Sequence, residues 1–355
     1  MIQRLSGESV ARTVTIRDVA RLARVHPGTV SRALNPATRT LVSAATAERV
    51  VAAAAQLGYR PNPIARGLKT KRSYTVGVLV PDITNPLFPP ILRGIEDRLE
   101  ESGYTTLIVN TDNQPERERQ ALETMRARQV DGFIAATARL DTRTLQRSDG
   151  AQAPIVLVNR GLEDGSLPVV AVDDRAGARL AVEHVARLGH EAIAHIAGPQ
   201  TTSTGHQRYL GFVEAMRDLG RPIDERRIRF ADSFTEREGA RACGALLDAG
   251  SEITAIFAAN DLLALGCYEV FAERGLRCPR DVSIVGFNDI PLLDRLQPPL
   301  TTVRMPQREA GVAAADLLLD YLADTSKPPC RVLLEPKLIV RGSSGAPRDL
   351  GAFQR

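Results

Sequence analysis

The sequence predicts two architectures in series: a small all-α helix-turn-helix headpiece, then an α/β domain of two lobes, each a parallel sheet flanked by helices. Three observations carry this. The first 72 residues hold 13 Lys and Arg against 3 Asp and Glu, a net of +10, whereas the rest hold 33 against 39. Within that basic segment, apolar residues recur at helical spacing between capping signals. From Tyr74 onward, short β-branched runs alternate with amphipathic stretches for about 270 residues, too many for one sheet covered on both faces.

In the headpiece, Thr15-Ile16-Arg17-Asp18 has the form of a capping box, with the Asp18 carboxylate favourable in the first turn. Ile16, Val19, Ala20 and Ala23 form the apolar stripe of a first helix that ends near Arg24-Val25. A second helix begins at His26 or Pro27, since proline suits the first helical position, and carries Val30 and Leu34 inward and Thr29, Ser31 and Arg32 outward. Ser43 is placed to cap a third helix, Ala44 to Leu57, which Gly58 ends. Two short helices about a tight turn, closed by a third, make a helix-turn-helix, whose second helix enters the major groove. With one aromatic residue, Tyr59, its core is small.

Beyond the headpiece, strands are expected at Thr75–Val80, Thr105–Asn110, Gly132–Ala135, Ile155–Asn159, Val169–Val172, Ala192–Ala197, Ile228–Ala231, Ala255–Ala258 and Val282–Gly286. Helices are expected at Pro86–Ser102, Pro115–Arg128 and near Asp174–Leu188. A cleft between two such lobes is a standard place for a small ligand.

Composition and motif searches narrow the function. Hydrophobic residues at 43% and charged residues at 25% describe a globular chain. Its longest apolar runs, such as Val76–Val80, fall far short of the ~20 residues of a membrane span. The N-terminus lacks the apolar core of a secretory signal, so the chain is expected in the cytoplasm, with Cys243, Cys267, Cys278 and Cys330 as reduced thiols. No GxG, Walker loop or GxSxG occurs. His190 and His195 are five apart, one too many for HExxH, and Asp173-Asp174 reads as a strand-to-helix turn with N-cap chemistry. An enzyme is therefore not expected, nor any cofactor or metal site. A ligand-binding protein without DNA function is the alternative that the basic headpiece argues against.

The run TIRDVARLARVHPGTVSRALN at 15–35 and the run VSAATAERVVAAAAQLGYRPNPIARGLKTKRS at 42–73 together resemble the headpiece and hinge of the LacI/GalR family of bacterial regulators. The resemblance implies that Pro27, Gly28 and Arg32 sit at base-reading positions and Thr29, Ser31 and Asn35 at phosphate-contacting ones, with Thr15 and Tyr59 completing the headpiece's DNA-binding set. Pro27 and Gly28 offer no side-chain hydrogen-bond groups where many relatives carry polar readers, so Arg32, apolar contact and DNA shape are expected to carry more of the discrimination. In the hinge the resemblance adds Asn62, Ala65 and Leu68. A helix of one or two turns starting at Pro63, weakened by Gly67 by about 1 kcal/mol, would fold only against its partner in the minor groove, with Leu68 wedged into the central base step.

The similarity continues through VGVLVPDITNPLF at 76–88, VNRG at 158–161, LGHEAIAHIAGP at 188–199, AANDLLALG at 258–266, VSIVGFNDIP at 282–291 and PPLTTVRMP at 298–306. It implies a two-lobed fold like that of periplasmic sugar-binding proteins, with lobe one at about 73–172 and 301–328 and lobe two at 173–300 and 329–342. Flexible segments are expected at 1–12 and 343–355, the headpiece at 13–60 and the hinge at 61–72. Phe88 and Phe234 match wall positions of the cleft, and Arg160, Arg208, Asn260 and Asn288 match polar effector-binding positions. On the residues alone, the arginines also suit surface ion pairs, the asparagines turns after strands and the phenylalanines core. Two arginines with no matched acid would favour a sugar acid over a neutral sugar. The implied partners are a double-stranded DNA operator, a small carbohydrate or sugar-acid effector, and a second copy of the chain in a homodimer.

Overall fold

The computed structural model describes residues 14–60, 72–140, 144–145, 153–250 and 252–347, and the chain divides into two compact units between Ser73 and Tyr74. The expected extension over 1–12, the hinge residues Asn62, Ala65 and Leu68, and the tail over 348–355 lie outside the described residues.

The first unit holds α1 (Ile16–Ala23), α2 (Pro27–Leu34) and α3 (Ala44–Leu57), with a 3₁₀ segment at Pro36–Leu41 that the sequence reading lacked. The Asp18 carboxylate reaches back to accept from the Thr15 backbone N–H at 3.0 Å and the Thr15 hydroxyl at 2.7 Å, fixing the start of α1. Both α1 and α3 end with a left-handed residue and an amide reaching back five residues: Arg24 (φ 55°) with Val25 N–H donating to Ala20 O, and Gly58 (φ 64°) with Tyr59 N–H donating to Ala54 O. Ser43 occupies the N-cap of α3 as expected, but its hydroxyl donates to the Thr46 hydroxyl at 3.0 Å rather than capping an amide. The core is small-residue packing around Val19, Val30 and Val50, with Ala23, Ala33 and Ala54 filling the crossings.

The second unit runs β1 (Thr75–Val80), α4 (Phe88–Glu101), β2 (Thr105–Asn110), α5 (Pro115–Ala127), β3 (Gly132–Ala135), β4 (Ile155–Val158) and β5 (Val169–Val172). Then follow α6 (Asp174–Arg187), β6 (Ile193–Ala197), α7 (Ser203–Asp218), β7 (Ile228–Phe230), α8 (Glu236–Asp248), β8 (Ala255–Ala258) and α9 (Asp261–Glu273). The chain closes with β9 (Ser283–Asn288), β10 (Thr301–Arg304), α10 (Gln307–Ala323), β11 (Arg331–Leu334) and β12 (Lys337–Ile339). Central strands such as β3, β4, β6 and β8 are buried along their whole length, the pattern of parallel strands covered on both faces.

Two six-stranded sheets result, ordered β2-β1-β3-β4-β5-β11 and β7-β6-β8-β9-β10-β12, parallel throughout except for the β10–β12 pair. The two orders are the same wiring used twice, and each reverses direction once, between β1 and β3 and between β6 and β8. In doubly wound sheets, ligands bind outside the strands' carboxyl ends at that switch point.

The lobe boundaries differ from expectation. Residues 301–304 belong to the second sheet, with Thr302 paired to Gly286, and residues 331–334 to the first, with Val332 paired to Val170. Each sheet thus takes a late strand from the far end of the chain, a choice made by non-local pairing and not by the β character both segments share. Between them α10 returns to the first sheet and lies against α4, where a Cβ on Gly311 would stand 2.1 Å from Ile91 O. Glycine there lets the two backbones touch.

Residues 343–347, expected as the start of a flexible tail, are part of the second lobe. Ser343 is fully buried: its hydroxyl donates to Ile284 O and accepts from Thr301 N–H, each at 2.7 Å, and its carbonyl accepts from Ile284 N–H at 2.8 Å. His190 binds Gly345 O at 2.8 Å, and His184 meets the Ser344 hydroxyl at 2.8 Å. A Gly-Ser-Ser segment reads as linker, yet its hydroxyls satisfy the polar edge of the sheet.

Candidate functional site

Two regions gather polar groups that packing alone does not account for. The first is the start of α2. His26 caps the helix, its Nδ1 accepting from Gly28 N–H at 3.1 Å, and Pro27 occupies the first helical position. Ser31 and Arg32 are exposed and Thr29 half-buried, while Arg32 Nε donates back to Gly28 O at 3.2 Å, leaving its terminal nitrogens to reach outward. Asn35 forms the C-cap, and Thr15 is exposed at the start of α1. Tyr59 lies half-buried against the headpiece core, and burial raises its phenol above the ordinary value. The sequence reading set His26 only as a helix start; its capping role follows from the side-chain geometry.

The second region lies where the loops after the strands of the two sheets meet. Leu140 N–H donates to Thr201 O at 2.8 Å, joining the loops after β3 and β6, and Gly161 N–H donates to Ser203 Oγ at 2.9 Å, joining the loop after β4 to the first residue of α7. Behind them Arg160 is 6% exposed, with one terminal nitrogen on Asn113 Oδ1 at 3.1 Å. Burial, then the charges of Arg139 and Arg208, lowers its pKa to about 10. Arg160 Nε, Asn159 Oδ1 and Asn288 Oδ1 are buried without a hydrogen-bond partner among the described residues. Both asparagines hold left-handed backbone, at φ 68° and 115°. Buried polar atoms left this way cost about 1–3 kcal/mol each unless water or a bound group satisfies them.

Arg208 stands differently from expectation. It is 2% exposed, its Nε donates to Asp174 Oδ1 at 2.7 Å, a terminal nitrogen donates to Ala259 O at 2.7 Å, and its guanidinium lies 3.7 Å from the Phe287 ring centroid. Its charge is therefore matched by a carboxylate 34 residues away, which the sequence reading had assigned to a helix cap. Asp173 does the capping, accepting from Ala176 N–H at 3.0 Å. Burial raises the Asp174 pKa above the ordinary carboxylate value, while the charge of Arg208 and its hydrogen bond pull it back down. Asn260 is spent in the same manner, capping α9 through Leu263 N–H at 2.9 Å. Phe88 is fully buried in the core, and Phe234 is half-buried over Gly198.

Two further buried titratable groups are held within the sheets and helices. Asp261, raised to about 7 chiefly by burial, accepts from the Thr302 hydroxyl at 2.5 Å and Ile290 N–H at 3.0 Å. His195 is stacked between Phe212 and Phe257 with centroids at 4.7 and 4.8 Å, and its pKa is lowered to about 4 by burial. Among the described residues no group of three or more His, Cys, Asp or Glu is placed to hold a metal ion, and no helix is long and apolar enough to cross a membrane.

Comparison with known proteins matches the headpiece and the later part of the second unit. Residues 15–62 match the model for bacterial regulatory proteins of the lacI family, and residues 182–344 that for a periplasmic binding protein-like domain. The chain is 37% identical over 333 residues to the HTH-type transcriptional repressor CytR of Escherichia coli K12, covering 94% of this chain and 96% of the repressor. Among solved structures it resembles a lac repressor dimer bound to operator and the anti-inducer ONPF, with a TM-score of 0.82 and 29% identity over 94% of this chain and all of that one. A complex of the regulator CelR with cellobiose matches at TM-score 0.72 and 32% identity, over 93% of this chain and all of that one.

Proposed function

The chain belongs to the lacI family of bacterial regulatory proteins, and is thus a DNA-binding transcriptional regulator rather than an enzyme; from that premise we propose that it is a cytoplasmic, dimeric repressor of a palindromic operator, switched by a small neutral carbohydrate held between its two sheets. The observation that carries the DNA half is α2, a capped helix presenting Ser31 and Arg32 on a segment of net charge +10. Arg32 takes the base-reading role through guanine O6 and N7, beside the apolar surface of Pro27 and Gly28. Thr29, Ser31 and Asn35 hold phosphates, Thr15 and Tyr59 complete the headpiece's DNA-binding set, and the hinge residues Asn62, Ala65 and Leu68 enter the minor groove.

The ligand half rests on the three unpartnered atoms. Asn159 Oδ1 and Asn288 Oδ1 call for donors and Arg160 Nε for an acceptor, one set from each sheet, which suits hydroxyl groups able to do both. Arg208 is neutralised by Asp174, and the buried Glu118 carboxylate lies close enough to act on Arg160, so neither arginine offers a wholly unmatched charge and a neutral polyol fits better than a sugar acid. Phe234, over Gly198, would supply the apolar wall, with Phe88 and Asn260 shaping the site from behind. A ligand bridging both sheets changes their relative position, and through the hinge starts of a dimer this couples to DNA binding, typically with 1–3 kcal/mol.

Selection of bound duplexes from a random pool tests the operator claim. Enrichment of a near-palindrome by the full-length chain, with affinity falling steeply as salt rises, is the expected result. An enriched single half-site, or no enrichment with or without a pool of metabolites, would refute it.

A further inference from the structure

We propose that His26 is a specificity-determining residue of this regulator: a neutral imidazole locked by its own helix cap into the tautomer that donates from Nε2, and aimed at a base edge in the major groove. The inference rests on the operator-binding reading and goes beyond it, because neither the basic charge nor the exposed face of α2 requires His26 to touch DNA.

Three observations converge. Nδ1 accepts from Gly28 N–H at 3.1 Å, so the ring nitrogen facing the helix must be unprotonated. In a neutral imidazole one nitrogen donates when the other accepts, and the donor is therefore Nε2. The ring meets Gly28 through Nδ1 and Cε1, since a Cβ built on Gly28 would stand 3.1 and 3.7 Å from those atoms, while Nε2 lies beyond 4 Å of that position. His26 is exposed. In a helix-turn-helix the N-terminal residues of the second helix face the base edges, and here the two that follow, Pro27 and Gly28, carry no polar side-chain atom. The imidazole stands as the first polar group ahead of that bare turn.

The chemistry selects what it recognises. An obligate donor matches purine N7, guanine O6 or thymine O4 and is repelled by the cytosine N4 amino group. His26 thus disfavours cytosine at one symmetric pair of operator positions. Gly28 is part of the device, because its missing Cβ leaves the space in which Nδ1 reaches the amide.

The test compares duplex selections by the full-length wild type, His26→Ser and His26→Ala. Serine caps a helix well but cannot extend a donor from the position of Nε2. Expected is an operator in which the wild type disfavours cytosine at one symmetric pair by about fivefold, the worth of one net hydrogen bond. In His26→Ser that bias disappears while the rest of the site and the melting profile persist. His26→Ala loses the same bias and also destabilises the headpiece. If His26→Ser keeps every base preference and weakens all sequences alike, with a smaller salt slope, His26 holds a phosphate and the proposal fails. If His26→Ser changes nothing, His26 is a cap only and the proposal fails. A wild-type chain that enriches no site at all overturns the operator reading itself, so the two failures are distinguishable.

Discussion

Replacing Asp174 with Ala would leave the guanidinium of Arg208 without its counter-charge at a position 2% exposed. The pair is made at 2.7 Å, and among the described residues the other hydrogen bond of Arg208 is the 2.7 Å bond to Ala259 O. Removing one partner of a buried pair costs about 3–5 kcal/mol. For a domain of this size that corresponds to a fall of roughly 6–20 °C in the melting temperature. Removing both charges in Asp174→Ala/Arg208→Met leaves an apolar side chain against Phe287 and should recover most of the loss, because no isolated charge remains. Scanning calorimetry of the four proteins closes the cycle. The charge-matching account is refuted if Asp174→Ala melts within 2 °C of wild type (an order-of-magnitude threshold), or if the double variant falls by the sum of the singles. A second readout bears on the ligand. Asp174→Asn keeps the shape of the site but releases the charge of Arg208, so sugar acids should gain affinity relative to neutral sugars.

Three further outcomes follow from the geometry. Arg24→Gly relieves a left-handed residue at the α1 terminus and should stabilise the headpiece by about 1 kcal/mol, read as slower hydrogen exchange at Val19 and Ala20; faster exchange would contradict it. Gly311→Ala puts a methyl 2.1 Å from Ile91 O, so α4 and α10 must separate at a cost of about 1–3 kcal/mol, and an unchanged melt would mean that the contact is not tight. His195, with a pKa lowered from 6.5 to about 4 by burial, contributes stability that is complete above pH 6.5 and declines as pH falls toward 4, by about 1.4 kcal/mol per pH unit. His195→Phe should flatten that limb of the stability profile; a parallel decline in both proteins would assign it to other groups.

What was legible in the sequence was what is decided locally. The bounds of α1, α2 and α3 followed from Thr15 with Asp18, Pro27, and Gly58, because caps act within a turn of the residues that make them. The bounds of β1 and β2 followed similarly from β-branched runs. Partner choice was not legible. Thr301–Arg304 and Arg331–Leu334 carry similar β signals, and only pairing with β9 and β5 decides which sheet each joins. Arg208 and Asp174 are separated by 34 residues, so the neutralisation that changes the expected ligand class appears only when α6 and α7 pack together. Ser343 shows the converse, a linker-like residue made structural by the hydrogen bonds of a distant strand.

The central claim is that occupancy between the two sheets and operator affinity are coupled. The most direct measurement is an anisotropy titration of labelled operator with the full-length chain, without and with a saturating neutral sugar that raises its melting temperature. The account predicts a change in operator Kd of about 5- to 150-fold, and the same factor in sugar affinity when operator is bound. An operator Kd that stays the same at saturating sugar would contradict it.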